Sequence, residues 1–86
     1  MKDQREKIDS IDKKLVELLD KRMGLAEEIG KIKKEKALPV YDARREKEVL
    51  DKLTDLPKKA IETEELRELF KHIILISRRH GEKGMR

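Results

Sequence analysis

The chain has 86 residues, of which 49% are charged and 36% hydrophobic, with a formal net charge of +4 and no cysteine. This length fits one domain spanning residues 1–86, and the lack of cysteine excludes disulfides and thiolate chemistry. No apolar run approaches the roughly 18 residues of a membrane span and no signal-peptide segment is visible, so we expect a cytoplasmic protein without a membrane partner.

The first predicted helix runs from Asp3 to about Glu35. Its apolar residues recur at alternating steps of three and four, which is the spacing of one helical face. These residues are Ile8, Ile11, Leu15, Leu18, Leu25, Ile29 and Ile32. Within this series, position 22 is the only slot that is not apolar, because it holds Arg22.

A break follows at residues 37–41, because Pro39 lacks a backbone donor and pushes Leu38 out of helical conformation. Asp42 is the predicted N-cap of a second helix, Ala43 to about Leu53, since its carboxylate can accept from the free amides of the first turn. The dipeptide at 56–57, Leu-Pro, closes this helix.

A third helix is predicted to follow, with Thr63 as its N-cap. Gly81 and Gly84 are expected to end this helix, and residues 82–86 are expected to form a frayed tail. The sequence thus predicts an all-α chain with a long first, a short second and a medium third helix.

The length of the first helix predicts an oligomer. About 33 residues at 1.5 Å each give a helix of about 50 Å, whereas a compact monomer of this size has a radius of gyration of about 12 Å. The two shorter helices cannot cover an apolar face of that length, and a second copy of the chain is the simplest cover. A plain helical hairpin or dimeric coiled coil with no site remains the simpler interpretation of the periodicity alone.

Arg22 indicates that the first helix carries more than a packing surface. Its guanidinium points toward the interior, where an unpaired charge costs several kcal/mol. It can form a salt bridge to Glu46 or Asp42, reach back to solvent, or belong to an anion site. Lys33 lies nearly three turns further on a similar side, so the two cations can hold one small acidic ligand from its two ends, although a lysine here can also be solvated.

Arg5 lies on the same helix, about 25 Å from Arg22 along the axis. That distance is too long for both arginines to hold one metabolite within one chain. Only a partner chain can bring Arg5 to the site of Arg22.

The charged and apolar residues of the first two helices follow one pattern. The pattern consists of Arg5, Ile8, Asp9, Ile11, Asp12, Leu15, Leu18, Leu19, Arg22, Leu25, Ala26, Lys33, Pro39, Val40, Asp42, Arg45 and Glu46. It resembles the all-helical chorismate mutases, type II. The resemblance implies an intertwined homodimer of three-helix chains, in which each of two active sites takes one arginine from the other subunit.

The resemblance also implies roles for the cations. Arg5 from the partner and Arg22 would bind the two carboxylates of the substrate, chorismate, and Lys33 would donate to its ether oxygen. Arg45 would add a further cation, and Ser77 on the third helix would assist a carboxylate.

By the same resemblance, Asp42 and Glu46 would meet the ring hydroxyl of the substrate. One position departs from the family pattern, which places a glutamine one turn after the serine, where this chain has Gly81. His80 or Glu82 would have to approach that spot, the glutamate in its protonated form, and the sequence favours neither.

The implied reaction, the rearrangement of chorismate to prephenate in aromatic amino-acid biosynthesis, transfers no proton and needs no nucleophile. We therefore expect an isomerase with no cofactor and no metal. Such an enzyme acts by holding the substrate folded and by placing fixed cations where negative charge grows. Arg and Lys side chains serve both purposes.

Three alternative functions remain. An isochorismate-pyruvate lyase would share the fold and the cations. A nucleic-acid-binding helical dimer is suggested by the basic residues 78–86. However, acidic residues interrupt the basic ones along the chain, and a single Tyr and a single Phe offer no platform for stacking bases. We therefore predict no nucleic-acid partner. An inactive regulatory module would tolerate the loss of Arg22 or Lys33, and both are present.

Overall fold

The computed structural model describes residues 1–86 and contains three α-helices and no β-strand: α1 (Lys2–Glu35), α2 (Ala43–Thr54) and α3 (Thr63–Gly84). The predicted all-α chain is confirmed. α1 has 34 residues and sets the longest dimension of the molecule, 52 Å. The radius of gyration is 15.5 Å, above the value of about 12 Å for a compact chain of this length. None of the helices combines the length and apolar character needed to cross a bilayer.

α1 ends in a Schellman motif, followed at once by Pro39, as the predicted break requires. The Leu38 N–H donates to the Lys33 carbonyl at 2.8 Å, and the Ala37 N–H donates to the Lys34 carbonyl at 3.2 Å. Ala37 takes the left-handed backbone conformation, with φ of 55°, that glycine usually supplies at this position. The turn reverses the chain into α2.

The two shorter helices begin with different caps. Asp42 caps α2 as predicted, because its Oδ1 accepts from the Arg45 N–H at 3.0 Å. The predicted cap of α3 is wrong: Thr63 is already the first helical residue and Glu62 is the N-cap. Glu65 accepts from the Glu62 N–H at 3.0 Å, and this capping-box contact fixes the helix start one residue earlier than the threonine alone suggests.

Of the two glycines expected to end α3, Gly84 is its last residue, whereas the helix continues past Gly81 and residues 82–84 are helical. Both glycines are buried against α1. A Cβ on Gly84 would overlap the carbonyl of Glu27, and a Cβ on Gly30 would overlap the carbonyl of Gly81. Contact with α1 therefore keeps the last turns of α3 helical despite the low helix propensity of glycine.

α3 contacts both other helices, whereas α1 and α2 do not pack against each other. α2 is antiparallel to α3, since Glu46 near its start bonds to Arg78 and Thr54 at its end bonds to Arg67. Thr54 is 4% exposed and also donates to the Leu50 carbonyl at 2.9 Å. This arrangement brings the start of α2 beside the end of α3.

Most of α1 has no cover within the chain. Every residue from 1 to 21 is exposed, and Ile74 on α3 is the only buried hydrophobic side chain. The predicted apolar face of α1 is between 48% and 61% exposed, at Ile8, Ile11, Leu15, Leu18, Leu25, Ile29 and Ile32. A single chain therefore has almost no conventional core.

Gly30→Ala is expected to lower the free energy of unfolding by about 1–3 kcal/mol, because the new methyl group overlaps the Gly81 carbonyl. Gly24→Ala is the matched control: nothing lies within 4 Å of its Cβ, so it should gain about 0.8–1 kcal/mol of helix propensity. Urea unfolding followed by circular dichroism measures both. If the free energy of unfolding changed in the same direction in both variants, the close crossing of α1 and α3 would be contradicted.

Candidate functional site

A cavity of about 240 Å³ lies where the end of α1, the start of α2 and the end of α3 meet. Its polar lining consists of Arg22, Lys33, Asp42, Arg45, Glu46, Ser77 and Arg78. Apart from Arg5, all the site residues predicted from the sequence are in this lining. Its apolar wall includes Ile74 and Val49, so the site occupies the place where a core would otherwise lie.

Arg5 does not reach this cavity within its own chain. It is exposed on α1, about 25 Å along the helix axis from Arg22. A contribution from Arg5 requires a second chain.

The cavity carries an excess of positive charge. Four cationic side chains line it and two carboxylates oppose them, which leaves two positive charges uncompensated. Glu46 is paired with Arg78, and no carboxylate forms an ion pair with Arg22, Lys33 or Arg45. Such a site favours a ligand with two negative charges.

Arg22 is half-buried and donates a hydrogen bond to Ser77 Oγ. The salt bridge to Glu46 or Asp42 that the sequence left open does not form. Burial, and after it repulsion from Arg45, lowers the pKa of the Arg22 guanidinium from its ordinary value. Because an arginine keeps its charge nevertheless, a bound anion would relieve both effects.

Lys33 stands at the edge of the cavity, where its Nζ donates to the Val40 carbonyl at 2.9 Å. The Schellman turn makes this contact by folding the segment after α1 back over the helix end. A lysine ammonium has three donor hydrogens, so two remain for a ligand. The neighbouring Lys34 is exposed and takes no part in the cavity.

Arg78 is the site residue that the sequence analysis missed. It donates from Nε to Glu46 Oε2 at 2.9 Å and from a terminal nitrogen to Glu46 Oε1 at 2.6 Å. Its guanidinium carbon lies 4.1 Å from the centroid of the Tyr41 ring. The hydrogen bond from Arg78 to Glu46 is the main cause that raises the pKa of the arginine. The only sequence signal is its position next to Ser77, which reveals nothing about a partner 32 residues away.

Comparisons with known proteins identify the family to which this arrangement belongs. A family profile described as chorismate mutase type II matches residues 4–82. The chain belongs to the chorismate mutase type II family. Its fold is similar to the crystal structure of chorismate mutase from Helicobacter pylori in complex with prephenate, with a TM-score of 0.87 and 34% identity over 98% of this chain and 91% of that one.

Curated relatives show the same family. The chorismate mutase of Methanocaldococcus jannaschii is 39% identical over 63% of this chain and 54% of its own length. The bifunctional chorismate mutase/prephenate dehydratase of Aquifex aeolicus is 40% identical over 67% of this chain and 16% of its own length. The matched region thus spans about half or less of these curated relatives. The resemblance inferred from the residue pattern is confirmed.

Gly81 stands where the chorismate mutase pattern has its glutamine. It lines the cavity itself, whereas neither His80 nor Glu82 does. A Cβ on Gly81 would lie 2.9 Å from Val40 Cγ1, so any side chain here would displace Val40. Glycine instead of glutamine at this position therefore allows Val40 to pack closely against α3.

Ser77→Ala is expected to lower the free energy of unfolding by about 1 kcal/mol relative to Ser10→Ala, because it removes the acceptor of the half-buried Arg22. Ser10 is exposed on α1 and is the only other serine of the chain, so both substitutions carry the same gain in helix propensity. Urea titrations give the two values. Equal stabilities of the two variants would show that the Arg22 contact contributes nothing.

Proposed function

We propose that this chain is a chorismate mutase that converts chorismate to prephenate without a cofactor, at two sites shared between the subunits of a homodimer. The observation that carries the proposal is the group of three cations, Arg22, Lys33 and Arg45, that line one cavity without a carboxylate partner. Chorismate is a dicarboxylate, and its charge matches the two uncompensated positive charges of the cavity. We further place the protein in aromatic amino-acid biosynthesis in the cytoplasm.

The proposed reaction is an intramolecular rearrangement, in which a carbon–oxygen bond breaks while a carbon–carbon bond forms. Arg22 binds one carboxylate of chorismate, and Arg5 of the second chain binds the other. Because both carboxylates are held, the substrate keeps its side chain folded over its ring. This removes much of the entropic part of the activation barrier. Arg45 adds positive charge along the same wall.

Lys33 acts on the bond that breaks. Negative charge grows on the departing ether oxygen, and the ammonium donates a hydrogen bond to it. Because the contact with Val40 orients the ammonium beforehand, little reorganisation is needed as the charge develops. Asp42 and Glu46 accept from the ring hydroxyl and set the orientation of the ring.

The activity is tested directly with purified protein. Chorismate should be consumed, with loss of its ultraviolet absorbance, and prephenate should form. Isochorismate should release no pyruvate. Release of pyruvate without mutase activity would favour the lyase, and no reaction with either substrate would overturn the proposal.

Lys33→Ala is expected to lower turnover at saturating chorismate by about a hundredfold to a thousandfold, or about 2.7–4 kcal/mol, because it removes a preorganised donor to the transition state. Lys34→Ala removes the same charge one residue away from an exposed position and should leave turnover near normal. A lost binding contact would instead raise mainly the Michaelis constant. Equal damage in the two variants would contradict the role given to Lys33.

The homodimer is supported by the exposed apolar face of α1 and by its uncovered first 21 residues. Because most helical stability in proteins comes from packing of an amphipathic face, this exposed half of α1 needs a partner. Light scattering should report twice the chain mass of 10.2 kDa. A folded monomer at micromolar concentration would contradict this state.

Complementation tests whether the sites are shared. Arg5→Ala and Arg22→Ala chains should each be inactive alone, since each dimer then lacks one arginine at both sites. In a refolded equal mixture about half of the dimers are mixed, and each of these has one intact site, so about a quarter of the wild-type activity should return. Mixed dimers that form but remain inactive would show that Arg5 does not serve the neighbouring site.

A further inference from the structure

Glu46 and Arg78 form a two-point contact at the wall of the cavity. Two nitrogens of the guanidinium donate to the two carboxylate oxygens, at 2.9 Å and 2.6 Å. This fork geometry fixes the plane of the carboxylate as well as its position. Both side chains are largely shielded from solvent, with exposures of 24% for Glu46 and 28% for Arg78.

The Glu46–Arg78 pair, which joins α2 and α3, differs from an ordinary surface ion pair within α2. Arg44 approaches Glu48 through one nitrogen at 3.6 Å, and the two side chains are 92% and 52% exposed. Arg78, in contrast, is held on a second side by the Tyr41 ring, 4.1 Å from its guanidinium carbon. Contacts with α2 and with the segment before it thus lock this side chain of α3 in place.

The carboxylate held in this way can still bind a ligand. A carboxylate has about four lone-pair sites and can only accept hydrogen bonds. Arg78 occupies two of these sites in Glu46, which lines the cavity among the cations that attract the ligand. The remaining lone-pair sites of Glu46 can accept a hydrogen bond from a ligand. In a ligand whose other polar groups are carboxylates, a hydroxyl is the group that can donate this bond.

We propose that Arg78 is a positioning residue, which holds Glu46 as an oriented acceptor for the ring hydroxyl of the ligand. This inference rests on the proposed function. It goes beyond that function because it assigns hydroxyl recognition to an arginine outside the predicted set of site residues. Without Arg78, Glu46 must be ordered each time a ligand binds. The substitution should therefore weaken binding of a ligand that has the ring hydroxyl more than binding of one that lacks it.

The test measures binding of prephenate and of a deoxy analogue that keeps both carboxylates and lacks the ring hydroxyl, by calorimetry. Arg78→Met should weaken prephenate binding by about three- to tenfold more than analogue binding, the size of the cost of ordering one side chain. In a Glu46→Gln background the same substitution should lose this hydroxyl-dependent difference. Arg79→Met removes the same charge from an exposed neighbour and should show no difference.

Arg78→Lys gives a second measurement, which is independent of whether the Arg78→Met variant folds. It keeps the charge but not the fork, so it should show a smaller loss that still depends on the hydroxyl. Equal losses for the two ligands, or a hydroxyl-dependent loss that persists with Glu46→Gln, would overturn the positioning role while leaving the mutase proposal intact. A wild-type protein that neither binds prephenate nor converts chorismate would overturn both.

Discussion

The backbones of α1 and α3 meet at Gly30 and Gly81 with no side chain between them. This contact determines the rest of the structure, because it brings α3 close enough for Ser77 to bond Arg22. It also keeps α3 helical to its end, where Arg78 reaches α2. Were the two helices held apart by ordinary side chains, at the usual 8–10 Å between axes, the cavity would open along its length.

The electrostatics of the site run against stability. Arg22 is half-buried beside Arg45, and neither has a carboxylate partner. Uncompensated cations of this kind are unfavourable in the free protein and become favourable when an anion arrives. By contrast, both oxygens of Glu46 accept a hydrogen bond from Arg78. The cavity thus keeps three cations available and holds Glu46 fixed, which is the arrangement expected of a preorganised anion site.

The composition explains why we propose that so small a chain assembles. Nearly half of the residues are charged and only two are aromatic, and a single chain buries one hydrophobic side chain. The apolar area that would normally form a core lies on the exposed face of α1. In the homodimer we propose, that area becomes the interface, so folding and formation of the shared sites are one process.

Local rules were enough to predict the number and order of the helices, but not both ends of α3. The spacing of Ile and Leu determined α1, Pro39 its end and Asp42 the start of α2, because each acts on residues within about one turn of itself. The family resemblance also located six of the seven polar residues that line the cavity.

Only the tertiary structure decided that α3 continues past Gly81, that Arg22 bonds to Ser77 instead of a carboxylate, and that Arg78 holds Glu46. Each of these depends on a partner 32 or more residues away in the chain. Helical periodicity contains no information about such partners, because the helix crossing alone sets which faces meet.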